Sequence, residues 1–183
     1  MYGVGVNDVK GAYKTKCYSV WTDMLMRCYD AKRHELQPAY IDCSVCPEWH
    51  TLSNFKLWFD ANYIEGYQLD KDLLIVGNKI YSPITCFFVP SQLNSLMTRN
   101  VRNGDYPVGV SNQSKSSSVY PYRAQLMSNG KAIYAQTFAT VEEASVAYQE
   151  AKRTHILEEL ERYDLEGGVD KRLLIALEER FVQ

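Results

Sequence analysis

Gln68-Leu69-Asp70-Lys71-Asp72-Leu73-Leu74-Ile75-Val76-Gly77-Asn78-Lys79-Ile80-Tyr81-Ser82-Pro83, continued by residues 84–99, is the stretch on which the fold turns. Residues 69–76 are strand-like, Gly77-Asn78-Lys79 turns the chain, and residues 80–89 return through Pro83. Pro90-Ser91 can start a short helix carrying Leu93, Asn94, Leu96 and Met97, since Pro suits a first turn and Ser can cap. The pattern predicts a hairpin followed by a helix. Asp70, Lys71 and Asp72 fall on its first arm and Asn94 on the helix.

Working upstream, Val20, Met24, Leu25 and Cys28 sit at helical spacing within residues 18–30. A polar, turn-rich stretch runs through Pro38, and residues 40–45 form a short strand candidate. Pro47 opens a second helix with Trp49, Leu52, Phe55, Trp58 and Phe59 on its apolar positions, broken near Gly66. Downstream, Asn103-Gly104-Asp105 is a turn and the expected domain boundary.

Beyond that boundary the pattern changes. Residues 108–111 make one strand, 112–118 a Ser-rich loop, 120–127 a second strand and 132–138 a third. Ser128-Asn129-Gly130-Lys131 is the hairpin turn, because a tight primed turn needs positive φ at both central residues. Thr140-Val141-Glu142-Glu143 reads as a capping box opening a helix with Ala144, Ala147, Tyr148, Ala151 and Ile156. Gly167-Gly168 ends that helix. Residues 169–182 supply a final amphipathic helix, with Leu173, Leu174, Leu177 and Phe181 placed to pack on the body or on a second copy.

The chain of 183 residues is 46% hydrophobic and 23% charged, enough apolar material for a packed core and unlike a disordered composition. Met1-Tyr2-Gly3-Val4-Gly5-Val6 lacks a basic, apolar leader pattern, and no window reaches the length of a membrane span; a soluble, intracellular protein is expected. Five Cys, an odd number, argue against a disulfide framework. A net charge of −2 does not mark a nucleic-acid binder, but charge is unevenly spread. Residues 101–135 carry Arg102, Lys115, Arg123 and Lys131 against Asp105 alone; residues 136–183 carry six Lys/Arg against eleven Asp/Glu. Salt screens charges over about 8 Å, so a basic middle can meet phosphates beside an acidic tail.

Gly109-Val110-Ser111, Tyr122-Arg123-Ala124, Asn129-Gly130-Lys131, Phe138 and Glu142-Glu143-Ala144 through Ala147-Tyr148 follow the order of AP2-type DNA-binding modules, so residues 106–160 resemble that family. The resemblance implies a three-stranded antiparallel sheet packed on one helix, with its exposed face in the major groove of double-stranded DNA. Tyr122, Ala124 and Leu126 alternate with Arg123, Gln125 and Met127, which allows one packed and one open face. Arg123 and Gln125 are the candidates for base edges, Lys115 and Lys131 for phosphates, and Tyr134 for sugar or phosphate. Without the resemblance, Arg123 and Gln125 read equally as a solvated sheet face. Asn112-Gln113-Ser114 departs from the family, which places aromatic and basic residues there.

Residues 18–99 are similar to phage proteins of the HNH endonuclease type. The shared landmarks are Trp21, Met24, Arg27-Cys28, Tyr40, Val45-Cys46, Glu48-Trp49, Phe55, Leu69-Asp70-Lys71-Asp72, Gly77-Asn78, Tyr81-Ser82-Pro83, Cys86 and Asn94. The resemblance implies an α+β protein with a ββα-metal module and flanking helices over residues 1–103, an AP2-like module over 104–163, and a C-terminal amphipathic helix over 164–183. It implies a phage protein in the cytoplasm of a bacterial host, a divalent-metal-dependent DNA endonuclease with Asp70 and Asn94 holding Mg²⁺ or a similar cation. Asp72 is an extra ligand or a solvent charge.

The family's general-base His is replaced by Lys71. A free Lys, with pKa about 10.4, is protonated at neutral pH. Three readings stay open: Lys71 clamps phosphate while another group activates water, His50 approaches from the preceding helix, or the site is inactive and the fold serves binding. In the last case the chain is a DNA-binding regulator or an inhibitor of a host protein, for which the acidic Glu158-Glu159-Leu160-Glu161 stretch is suited.

Cys43-x-x-Cys46 has zinc-knuckle spacing, and with Cys28 and Cys86 it could complete a structural Zn²⁺ site; the resemblance favours Cys28, Cys46 and Cys86 over Cys43. Plain core packing is the competing reading. Cys17 stands apart, and His34 and His155 read as surface residues without partners.

Overall fold

The computed structural model describes residues 1–98, 105–113, 119–165 and 171–182. The architecture is α+β and divides into two compact units: Met1–Val89 with Asp170–Gln183, and Pro90–Val169.

In the first unit, α1 (Lys16–Tyr29) begins where the Thr15 hydroxyl accepts the Tyr18 N–H, and it buries Cys17, Trp21, Met24, Leu25 and Cys28. The polar stretch after it is not all turn. Asp30 caps a second start by accepting the Arg33 N–H at 2.8 Å, giving α2 (Ala31–Leu36), which buries nothing. Pro47–His50 is a 3₁₀ turn, and the helix proper, α3, runs Leu52–Asn62. Trp49, Phe55, Trp58, Phe59, Tyr63 and Phe88 pack ring on ring, with Trp49 and Trp58 centroids 4.8 Å apart and Trp58 stacked on Phe88 at 5.4 Å. Trp21 Nε1 donates to the Trp49 carbonyl at 2.7 Å, so α1 and this cluster share one core.

The stretch around residue 70 departs from a simple hairpin. β2 covers Tyr67–Asp70 only, and its partner is β4 (Phe87–Pro90). Asp70 Oδ1 accepts the N–H groups of Asp72 (2.9 Å) and Leu73 (2.8 Å), which bends the chain out of the strand. Of the apolar run that followed, Leu73 is buried while Ile75 and Val76 face solvent. The returning arm contributes β3 (Ile80–Tyr81), which pairs in parallel with β1 (Ser44–Val45), Ser44 against Ile80 and Val45 against Tyr81. The C-terminal helix α6 (Lys171–Val182) also belongs to this unit; Arg172 donates to the carbonyls of Ile84 (3.0 Å) and Cys86 (3.3 Å).

The second unit opens with α4 (Ser91–Thr98) and continues with antiparallel β5 (Val110–Asn112), β6 (Tyr122–Ser128) and β7 (Lys131–Phe138), in that spatial order. Asn129 (φ 51°) and Gly130 (φ 73°) form the tight turn between β6 and β7. α5 (Val141–Leu165) packs on all three strands and on α4. Its start is a capping box: Glu143 N–H donates to Thr140 Oγ1 and Thr140 N–H to Glu143 Oε2, both at 3.2 Å. Gly109, at φ 78°, lets the Tyr148 ring approach so closely that a Cβ there would stand 2.1 Å from it. Among the described residues no helix is long and apolar enough to cross a membrane.

Candidate functional site

The acidic turn of the first unit is built on β2. Asp70 ends that strand with its side chain buried, one carboxylate oxygen engaged by the Asp72 and Leu73 N–H groups. Burial first, then the neighbouring Asp72 carboxylate, push the Asp70 carboxyl up to about 6. Lys71 is also buried. Its Nζ donates to Asp72 Oδ2 at 3.0 Å and to the Asn78 carbonyl at 3.1 Å, and it lies 5.7 Å from the Tyr81 ring centroid. Burial works against its charge, but the bond to Asp72, with Asp72, Cys43 and Asp70 attraction, holds its pKa above the ordinary lysine value. Lys71 is thus a donor at both its bonds, and an ammonium so held accepts no proton from water.

Asn78, which the sequence marks only as a turn residue, closes the acidic turn. Its Nδ2 donates to the carbonyls of Lys71 (2.6 Å) and Ile80 (2.8 Å), and its Oδ1 accepts the Ile80 N–H (3.2 Å). The signal was present in the Gly77-Asn78 pair, an amide beside a positive-φ glycine, the usual chemistry of a self-bonded turn.

Asn94 stands on α4, in the second unit, whereas Asp70, Lys71 and Asp72 stand in the first. His50 is engaged with the β1 region: its Nε2 lies 3.1 Å from the Val45 carbonyl and 3.4 Å from the Tyr29 hydroxyl, which itself accepts the Val45 N–H. His34, expected to lack a partner, has its Nε2 2.9 Å from the Arg27 carbonyl.

All five thiols are free; Cys17, Cys28, Cys43 and Cys86 are buried and Cys46 partly so. Burial pushes up Cys28 and Cys86 to about 12, with Cys43 adding at Cys28 and Cys46 a lesser contributor at Cys86. Among the described residues no three His, Cys, Asp or Glu side chains come together as a metal-holding group. Cys17, Cys28, Cys43 and Cys86 lie among the buried side chains of the first unit's core, with Cys46 packed against it.

In the second unit, Ala124, Leu126 and Ser128 of β6 are buried, Ser128 against Gln92 of α4, while Arg123, Gln125 and Met127 alternate with them on the more open face. Cross-strand partners on that open face are small: Ser111 and Thr137 flank Arg123, and Ala135 lies opposite Gln125, which donates to Met127 Sδ. Lys131 is exposed at the hairpin. Tyr134 lies opposite Leu126, on the side that α5 covers, and its hydroxyl donates to Gln136. Lys115 lies outside the described residues. Beside the hairpin a polar cavity of about 310 Å³ is lined by Ser91, Gln92, Ser95, Ser128 and Asn129, with Gln92 Nε2 donating to Ser128 Oγ at 3.1 Å. No protein-family model, curated protein or solved structure matches this chain.

Proposed function

We propose that this chain is a duplex-DNA-binding protein, an HNH-like module joined to an AP2-like reader, which grips DNA without cutting it. The observation that carries the reading is the uncovered face of the β5–β6–β7 sheet. Arg123 and Gln125 project from one strand of it, two residues apart, with only Ser, Ala and Thr beside them on the neighbouring strands. A base edge needs that clearance. Arg can donate two bonds to guanine, Gln can pair with adenine, and a ribbon of this width fits a major groove about 12 Å across. Lys131 at the hairpin supplies a phosphate contact. Tyr134, opposite Leu126, has no part in the reading face.

The second part of the reading rests on Lys71. Metal-assisted hydrolysis would take Asp70 and Asn94 as ligands, the cation stabilising charge on the phosphate, and would need a group to deprotonate water. The residues at the base position do not fit, because Lys71 is an occupied ammonium and His50 is engaged with Val45 and Tyr29. No hydrolytic step is assigned to this chain.

Binding is tested by fluorescence anisotropy of a labelled duplex across a salt series. Affinity should fall steeply with salt, Lys131→Ala should reduce the salt slope by about one, and Arg123→Ala should cost roughly 1–3 kcal/mol and relax base preference. No binding at low salt would remove the DNA reading. On supercoiled plasmid with Mg²⁺ or Mn²⁺ the protein should leave the substrate intact; nicking that disappears in Asp70→Ala would instead make it an endonuclease.

A further inference from the structure

We propose that the Lys71 ammonium is a built-in counter-ion that takes the place of a metal ion in the acidic turn, so that the turn closes without one. The surroundings of Nζ neutralise and bond an ammonium without any further cation. A carboxylate oxygen, Asp72 Oδ2, lies at 3.0 Å, the Asn78 carbonyl at 3.1 Å, and the electron-rich face of Tyr81 at 5.7 Å from its centroid. The buried Asp70 carboxyl stands in the preceding position of the chain.

These groups come from both ends of the turn, residues 70–72 and 78–81, and the ammonium ties the two ends by donating to an oxygen of each. The Asn78 amide reinforces the closure by returning to the Lys71 carbonyl at 2.6 Å. Lys71 itself is only 5% exposed, so its ammonium faces these oxygens rather than solvent or a phosphate. A second, exogenous cation at this spot would meet an ammonium already in possession of the oxygens. The inference holds whatever nucleic acid the second unit binds.

Thermal unfolding of the full chain tests this with Ca²⁺, Mg²⁺, Mn²⁺ and EDTA as the probes. The parent protein should show the same Tm in all four. Lys71→Met, which keeps the bulk and removes the charge, should lower Tm by about 10 °C or more, with no recovery from divalent ions. Lys71→Ala should lower it similarly, but by vacating the cage it should regain part of the loss with Ca²⁺ or Mn²⁺. A parent Tm that rises with a divalent ion or falls with EDTA would overturn the proposal, and so would Lys71→Met as stable as the parent, or Lys71→Ala indifferent to every cation. Should Lys71→Ala not fold, the parent titration and Asp72→Asn, expected to be destabilised and cation-insensitive, decide the matter alone.

Discussion

Asp70 keeps its proton to about pH 6 in the folded chain, while an unfolded aspartate releases it near 3.8. The stability this provides is complete below about pH 4 and is lost as pH rises through about 6, because the native state must then hold a buried carboxylate beside Asp72. Asp70→Asn keeps the oxygen that accepts the Asp72 and Leu73 N–H groups and removes the charge. At pH 7 the variant should therefore be more stable than its parent by about 1–3 kcal/mol in urea unfolding, the difference closing toward pH 4. A parent that is the more stable at pH 7 would show that something in the fold welcomes the anion. Two glycines make a second residue-scale comparison. Ala at Gly109 would collide with the Tyr148 ring, and its φ is positive; at Gly130 φ is positive but the space is open. Gly109→Ala should cost about 3 kcal/mol or more and Gly130→Ala nearer 1 kcal/mol, both read by chemical denaturation.

At the scale of elements, what was legible is what is local. The β6–β7 hairpin follows from Asn129-Gly130, the open and covered faces from strict alternation along residues 122–128, and the start of α5 from Thr140 and Glu143. The capping box carries its own test: Thr140→Ala should destabilise the protein by about 1 kcal/mol by equilibrium unfolding. Residues 69–76 misled because hydrophobicity says that a segment wants burial, not that its backbone can stay extended. Asp70 spends its side chain on the two N–H groups that a longer strand would have offered to a partner. α2 was hidden for the opposite reason, since it buries no residue and so leaves no apolar periodicity; only the Asp30 cap announces it. The candidate acidic turn was legible in its members Asp70, Lys71 and Asp72 but not in the direction of Lys71, which depends on Asn78 and Tyr81 arriving from the far side of the loop.

For the whole molecule, the pairing of β1 with β3 and the return of α6 to the first unit join residues far apart in the chain, which no local pattern encodes. This arrangement separates the two units spectroscopically. Trp21, Trp49 and Trp58, the three tryptophans of the chain, all lie in the first unit. Truncation after residue 168 removes α6 with Arg172 and its bonds to Ile84 and Cys86, and with it the buried Leu173. The tryptophan-monitored transition should move to lower denaturant by the equivalent of about 2–4 kcal/mol, while far-UV signal from the second unit's sheet and helix survives it. An unmoved tryptophan transition would show that α6 adds nothing to the first unit.

The same return of the last helix imposes a timetable on biosynthesis. As the chain leaves the ribosome, residues 1–89 emerge first, but the guanidinium that fastens the Ile84–Cys86 carbonyls is not yet translated. At roughly 5–20 residues per second, several seconds pass before it arrives, during which the intervening unit is made and can fold. The first unit therefore gains its last helix only after the second unit has been made.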